Sequence, residues 1–142
     1  MASEAEINSL TWTIIRCAMA VHSALGPGLL ESAYHTCLVL ELQAAGLSCS
    51  SRVKVPLSYR GVTLECGYTL DIVVEGLVIL ELKAVDALAP VHGAQLLTYL
   101  KLTEMPVGLL LNFNVPHMKD GIKRKIHTKR ATHTGPPEGV TK

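Results

Sequence analysis

Two carboxylates and a lysine stand on otherwise apolar runs in the middle of this chain. Asp71 lies within Tyr68-Thr-Leu-Asp-Ile-Val-Val, and after a Glu75-Gly76 turn the run Leu77-Val-Ile-Leu-Glu-Leu-Lys-Ala-Val carries Glu81 and Lys83. Charges on buried strands are costly unless they are paired or bind a metal. The pattern Asp-(spacer)-Glu-x-Lys is the acid–acid–base constellation of metal-dependent phosphodiester cleavage. Asp71 and Glu81 would serve as oxygen ligands for Mg²⁺ or Mn²⁺, both hard cations. Such an ion polarises a phosphoryl oxygen and lowers the pKa of its bound water. Lys83 would orient or deprotonate that water, or stabilise the charge that develops. The competing account is a buried ion pair of purely structural use, for which two carboxylates and a lysine are excessive.

Geometry constrains this constellation. Glu81 and Lys83 are two apart and share a sheet face. A two-residue Glu75-Gly76 loop would pair Asp71 with Leu80 and put the carboxylates on opposite faces. A three-residue loop ending at Gly76 pairs Asp71 with Ile79 and keeps them on one face. The sequence therefore predicts a three-residue loop or a bulge.

Further candidates lie on flanking helices. His92, Gln95 and Tyr99 fall at three- and four-residue steps on one helix face, opposite Leu96, Leu97 and Leu100. Gln95 could bond water or phosphate, and Tyr99 phosphate or Lys83. Gly28, Glu31 and Tyr34 stand near the start of another helix, where a carboxylate is stabilised by the helix dipole. Glu31 is thus either a dipole partner or a third metal carboxylate. His22 flanks the first helical stripe and reads as structural, with an auxiliary role at the site as the alternative. Asn112 and Asn114 could bond backbone at a strand end.

The elements that must position these residues follow from periodicity. Leu10, Ile14, Cys17, Ala18, Val21 and Leu25 predict a helix capped by Asn8 or Ser9 and ended by Gly26-Pro27-Gly28. Leu30, Ala33, Cys37, Leu40 and Ala44 predict a second helix, stopped at Gly46. Alternation from Arg52 to Tyr59 predicts a half-exposed strand, with Pro56 marking an edge or a bulge. Arg60-Gly61 forms a turn, and strands follow up to Val74 and from Leu77 to Val85, the latter central. Pro90 opens a third helix running to about Leu102. Val107 to Val115 is a buried strand, parallel to the Glu-x-Lys strand through a right-handed crossover. Pro116 to Ile126 holds a short helix or strand. One domain, 1–126, is expected, and the polar stretch 127–142 is expected to be disordered.

Bulk properties narrow the class. With 142 residues, 49% of them apolar, the chain can build one real core. Net charge is +1, so any nucleic-acid contact is local rather than global. The basic run Lys119 to Arg130 is the candidate patch, although it reads first as a solvated tail. Cys17, Cys37, Cys49 and Cys66 form no CxxC pair and read as reduced thiols of a cytoplasmic protein. The N-terminus is acidic and polar, unlike a signal peptide, and no apolar run approaches the ~20 residues of a membrane span.

Gly28-Leu-Leu-Glu31-Ser-Ala-Tyr34 resembles the signature of the bacterial GxxExxY protein family. The similarity continues through Glu81-Leu-Lys83-Ala-Val, Gln95-Leu-Leu-Thr-Tyr99 and Leu110-Leu-Leu-Asn-Phe. That family is grouped with the PD-(D/E)xK nuclease superfamily. The resemblance implies an α/β, restriction-endonuclease-like core: N-terminal helices, a β-hairpin, a β-α-β crossover, and a mixed central sheet of about four strands flanked by helices. It implies Asp71, Glu81 and Lys83 as the catalytic triad, with Gln95 and Tyr99 as the QxxxY motif of RecB-like nucleases. It also implies Glu31 as the helix carboxylate that assists the metal. Leu70 replaces the proline that names the motif. The expected activity is a Mg²⁺- or Mn²⁺-dependent nuclease, with DNA preferred to RNA; a homodimer would pool two weak basic patches. A nuclease-fold module that binds nucleic acid or protein without cleavage is the alternative.

Overall fold

The structure, a computed structural model, describes residues 1–127, the Cys66 side chain excepted. The segment expected to be disordered lies outside the described residues beyond His127. The first helix, α1 (Glu4–Leu25), begins six residues earlier than the periodicity implied, counting from Leu10. The reason is local. Ser3 Oγ accepts from the Glu6 amide and Glu6 Oε1 accepts from the Ser3 amide, a reciprocal capping box that starts the helix before its apolar stripe does. Ile14, Cys17, Ala18 and Val21 are buried as expected. In α2 (Glu31–Ala44) the buried residues are Tyr34, His35, Leu38 and Leu42, while Leu30 and Leu40 are exposed. The stripe expected from Leu30, Ala33, Cys37, Leu40 and Ala44 is therefore not the buried face; the anchoring of Tyr34 described below selects the neighbouring one.

The sheet has five strands in the order β1-β2-β3-β4-β5. Strands β1 (Cys49–Tyr59) and β2 (Val62–Val74) form a long antiparallel hairpin. Arg60 and Gly61 both take positive φ, 53° and 81°, the geometry of a type I′ turn. Pro56 sits at a register shift between Val55 and Leu57 on this edge strand, where its missing N–H does no harm. Strand β3 (Val78–Lys83) is central and pairs antiparallel with β2. After α3 (Pro90–Thr103) the chain returns as β4 (Val107–Asn112), parallel to β3. Both strands end earlier than the sequence suggested. Beyond Lys83 the pairing is taken over by Asn112, whose side chain accepts from the Val85 amide and donates to the Val85 carbonyl. A 3₁₀ turn, Met118–Gly121, leads into β5 (Ile122–Ile126) on the other edge. The stretch Lys123-Arg-Lys125 is therefore not a solvated tail but an edge strand. Charge there also discourages edge-to-edge association.

Helices α1 and α2 pack on one sheet face with Ile72, Val74, Val78, Leu80, Leu82, Leu109 and Leu111. Helix α3 packs on the other with Val73, Ile79 and Leu110. This is the α/β core expected from sequence, with one strand more. Among the described residues no helix is long and apolar enough to cross a membrane.

Gly108 seats α3 on the sheet: a Cβ there would lie 2.7 Å from Leu96 Cδ1 and 2.9 Å from its Cγ. Gly108→Ala is expected to destabilise the fold by roughly 1–3 kcal/mol through overpacking. Urea unfolding followed by circular dichroism checks this, and an unchanged midpoint would show that α3 does not need the close approach.

Candidate active site

Strands β2 and β3 pair from Val74↔Val78 to Ile72↔Leu80 and then part. The connecting loop has three residues, Glu75 to Leu77, with Glu75 and Gly76 at φ 55° and 67°. The loop length agrees with the expectation, but the loop ends at Leu77 rather than Gly76. The next step of the ladder therefore sets Asp71 against Glu81, not Ile79. Glu81 lies on the β3 face that carries Ile79, and Asp71 meets it across the parting strands.

At that step side chains replace the ladder. The Asp71 amide donates to Glu81 Oε2 at 3.0 Å, and the Leu82 amide donates to Asp71 Oδ2 at 2.8 Å. Each acid thus satisfies a backbone N–H of the opposite strand with one oxygen. The second oxygens, Asp71 Oδ1 and Glu81 Oε1, take part in no such bond. Among the described residues no buried side-chain polar atom lacks a partner, so both oxygens reach solvent.

Glu81 is buried, and its carboxyl is pushed up to about 7, chiefly by burial and then by the Asp71 charge. Lys83 acts in the opposite sense on the same group. Lys83 makes no ion pair with any described residue, so the structural ion pair considered from sequence is not what holds these groups. Glu31, the first residue of α2, is exposed and is raised by burial and then by Asp71. On the opposite layer Tyr99 is buried, and its phenol is raised by burial, Glu81, Tyr68 and Asp71. Its ring packs on Tyr68 at 5.0 Å with a 58° tilt. The wedge between β2 and β3 thus receives Glu31 from one layer and Tyr99 from the other. Gln95 stands one turn before Tyr99, is exposed, and makes no hydrogen bond with a described residue.

Three of the sequence candidates have other work. His22 Nε2 bonds the Val115 carbonyl at 2.7 Å and ties α1 to the segment after β4. His92 Nδ1 accepts from the Ala89 amide and caps α3. Tyr34 is fully buried and stacked on Phe113; its hydroxyl donates to the Gly26 carbonyl at 2.6 Å and accepts from the Leu29 amide. Gly28, at φ 101°, donates to Asn114 Oδ1. Gly28 and Tyr34 therefore fix the turn from which Glu31 is presented.

Two neighbours escaped the sequence reading. His35 lies one turn beyond Glu31 and bonds Ser51 Oγ; burial and then Arg52 hold its imidazole below the usual range, while Asp71 opposes them. The four-residue spacing from Glu31 was a usable signal. Arg52 faces the same cluster from β1, and nothing in its sequence context distinguished it from an ordinary exposed strand residue.

The donor set suits a hard divalent cation: two solvent-reaching carboxylate oxygens on adjacent strands, whose mutual repulsion such an ion would relieve. Among the described residues no three His, Cys, Asp or Glu side chains form a ready-made cluster, so Glu31 does not complete a three-ligand set directly.

A family model described as the PD-(D/E)XK nuclease superfamily matches residues 8–125, which include both carboxylates, Lys83 and Tyr99. No curated protein and no solved structure matches the chain.

The raised Glu81 carboxyl gives a pH signature. Between the ordinary glutamate range and about 7, the folded protein keeps a proton that the unfolded chain has released. Stability of the metal-free protein must therefore fall as pH rises through this window. The lowered His35 imidazole works in the opposite direction, so the comparison is made against Glu81→Gln. Urea unfolding in EDTA at about pH 5 and about pH 8 should show wild type losing on the order of 3 kcal/mol more than the variant. Equal losses would mean that Glu81 titrates normally.

Proposed function

Because the chain belongs to the PD-(D/E)XK nuclease superfamily, we propose that the β2–β3 wedge is the active site of a metal-dependent phosphodiester hydrolase acting on nucleic acid. The supporting observation is the meeting of Asp71 and Glu81 across the parted strands, each with one oxygen committed to backbone and one open to solvent, beside a Lys83 with no ion pair among the described residues. The open oxygens would hold Mg²⁺ or Mn²⁺, and Glu31 would reach it through water. When bound, such an ion acts as a Lewis acid on the phosphoryl oxygen and acidifies a coordinated water. Lys83, on the same strand face as Glu81, orients the attacking water and offsets negative charge as it develops. Tyr99 is kept protonated by burial and the two acids, so it serves as a hydrogen-bond donor to a phosphate oxygen. Gln95, one turn away and open to solvent, bonds the substrate beyond the scissile phosphate.

The Gly28–Glu31–Tyr34 arrangement supports assignment to the GxxExxY group, since two of its members build the turn and the third enters the site. The Lys123-Arg-Lys125 edge offers backbone contacts that the net charge of +1 conceals.

Calorimetric titration with Mn²⁺ should show site-specific binding to wild type and none to folded Asp71→Ala. In cleavage assays on DNA and RNA, Lys83→Ala should retain metal and lose about 10²–10⁴-fold in kcat. A wild-type protein that neither binds Mn²⁺ nor cleaves either polymer would instead be a non-catalytic binding module.

A further inference from the structure

One residue of the wedge is strained, charged and uncommitted. Arg52 has φ 54° in the interior of an eleven-residue strand, a backbone conformation that L side chains rarely adopt. The pairs on either side, Ser51↔Ile72 and Val53↔Leu70, keep one register, so this conformation does not accommodate an inserted residue. It changes the face of the strand instead. Ser51 bonds His35 on the α2 side, whereas Val53 packs with the α3-side cluster. The partner strand does the same: Ile72 belongs to the α1–α2 core and Leu70 to the α3 core. Both strands therefore rotate at one step, and that step is Arg52 opposite Asp71. At this crease Arg52 is exposed and Asp71 half-buried.

Glycine would take this backbone with less strain, yet an arginine stands here. Non-glycine residues held in the left-handed region concentrate at functional sites. Arg52 makes no hydrogen bond or ion pair with a described residue, so among the described residues its five donors have no structural partner. Its charge nevertheless reaches the site, lowering both Glu31 and His35. A planar guanidinium beside an acid cluster suits two oxygens of one phosphate, which a lysine matches only as a point charge.

We propose that Arg52 binds the substrate's phosphodiester at the wedge, contacting its non-bridging oxygens next to Asp71. This rests on the nuclease reading and names the residue that recognises the phosphate there. The strained backbone turns the exposed arginine out of the sheet at the step opposite half-buried Asp71.

The test uses the full chain in a Glu81→Gln background, which keeps the wedge intact without cleavage. The probes are fluorescein-labelled single- and double-stranded DNA oligonucleotides, and the readout is anisotropy over a salt series. Arg52→Gln and Arg52→Gly are expected to weaken binding about tenfold or more and to reduce the salt slope by about one. Arg52→Lys should recover the salt slope but only part of the affinity. Arg52→Gly should melt at or above the parent temperature, since glycine accepts the backbone, which separates lost binding from lost folding. Unchanged affinity and salt slope in Arg52→Gln and Arg52→Gly would overturn the assignment while leaving the nuclease reading intact. Failure of the Glu81→Gln parent, with Mn²⁺ present, to bind either DNA probe or a labelled RNA oligonucleotide would overturn both.

Discussion

The structure depends on how two strands part without leaving their backbone unpaired. β3 must continue beside β4, while β2 leaves with β1 to form the long hairpin. At the branch point the amides of Asp71 and Leu82 would lose their ladder partners. An unpaired buried N–H costs on the order of 1–3 kcal/mol. Asp71 and Glu81 prevent this by each accepting from the other's strand. Two acids thus do the work of ladder carbonyls, and the same bonds fix where their remaining oxygens lie. The structural role uses one oxygen of each acid, and the proposed chemical role falls to the other. Truncating either acid consequently disturbs the branch as well as the chemistry, whereas an amide isostere retains a carbonyl oxygen for the backbone bond.

The flanking layers converge on this branch through contacts that are themselves not chemical. Tyr34 and Gly28 hold the turn before α2, so the helix begins at Glu31 without a side-chain cap of its own. Gly108 lets Leu96 lie against β4, and this seats α3 with Tyr99 over the opposite side of the wedge. A motif spaced as Gly28–Glu31–Tyr34 is therefore two parts scaffold and one part site. A shared motif does not make every member a reacting group.

Legibility in the sequence followed the physics of each element. The central strand announced itself because apolar residues on both faces leave only Glu81 and Lys83 to explain. The type I′ turn at Arg60-Gly61, the bulge at Pro56 and the crossover through α3 also followed from local residue chemistry. The buried face of α2 did not, since its apolar residues are spread around the helix and Tyr34, anchored by distant groups, decides which of them face the core. The pairing of Asp71 with Glu81 rather than Ile79 depended on which three residues the loop used, and positive φ at Glu75 carries no sequence mark. Arg52 was invisible for the same reason. Asn112 was legible as a backbone binder, but its replacement of two strand residues at Val85 required the fold. The short helix or strand expected over Pro116 to Ile126 is there, while the tail reading of its basic residues failed because charge dominates their composition and Ile122 and Ile126 supply the strand alternation.

Net charge is a weak guide to what this wedge attracts, because screening confines each field to roughly 8 Å at physiological salt. The local inventory matters instead: three carboxylates, Glu31, Asp71 and Glu81, against two cations, Arg52 and Lys83. Fully ionised, that set carries one net negative charge and repels a phosphodiester. Protonation of Glu81, whose carboxyl lies near 7, brings the set to neutrality. A divalent cation on the ionised acids would turn it to one net positive charge, complementary to the single negative charge of a phosphodiester, the proposed substrate group. Metal and substrate must then raise each other's affinity by the same factor, because the coupling between two bound species is reciprocal. On this electrostatic account the wedge at neutral pH accepts a divalent cation alone, repels a phosphodiester alone, and favours the phosphodiester once the cation is in place. That property follows from placing the acids in direct contact across a parted pair of strands, with both cations close enough to be felt and neither spent in an ion pair.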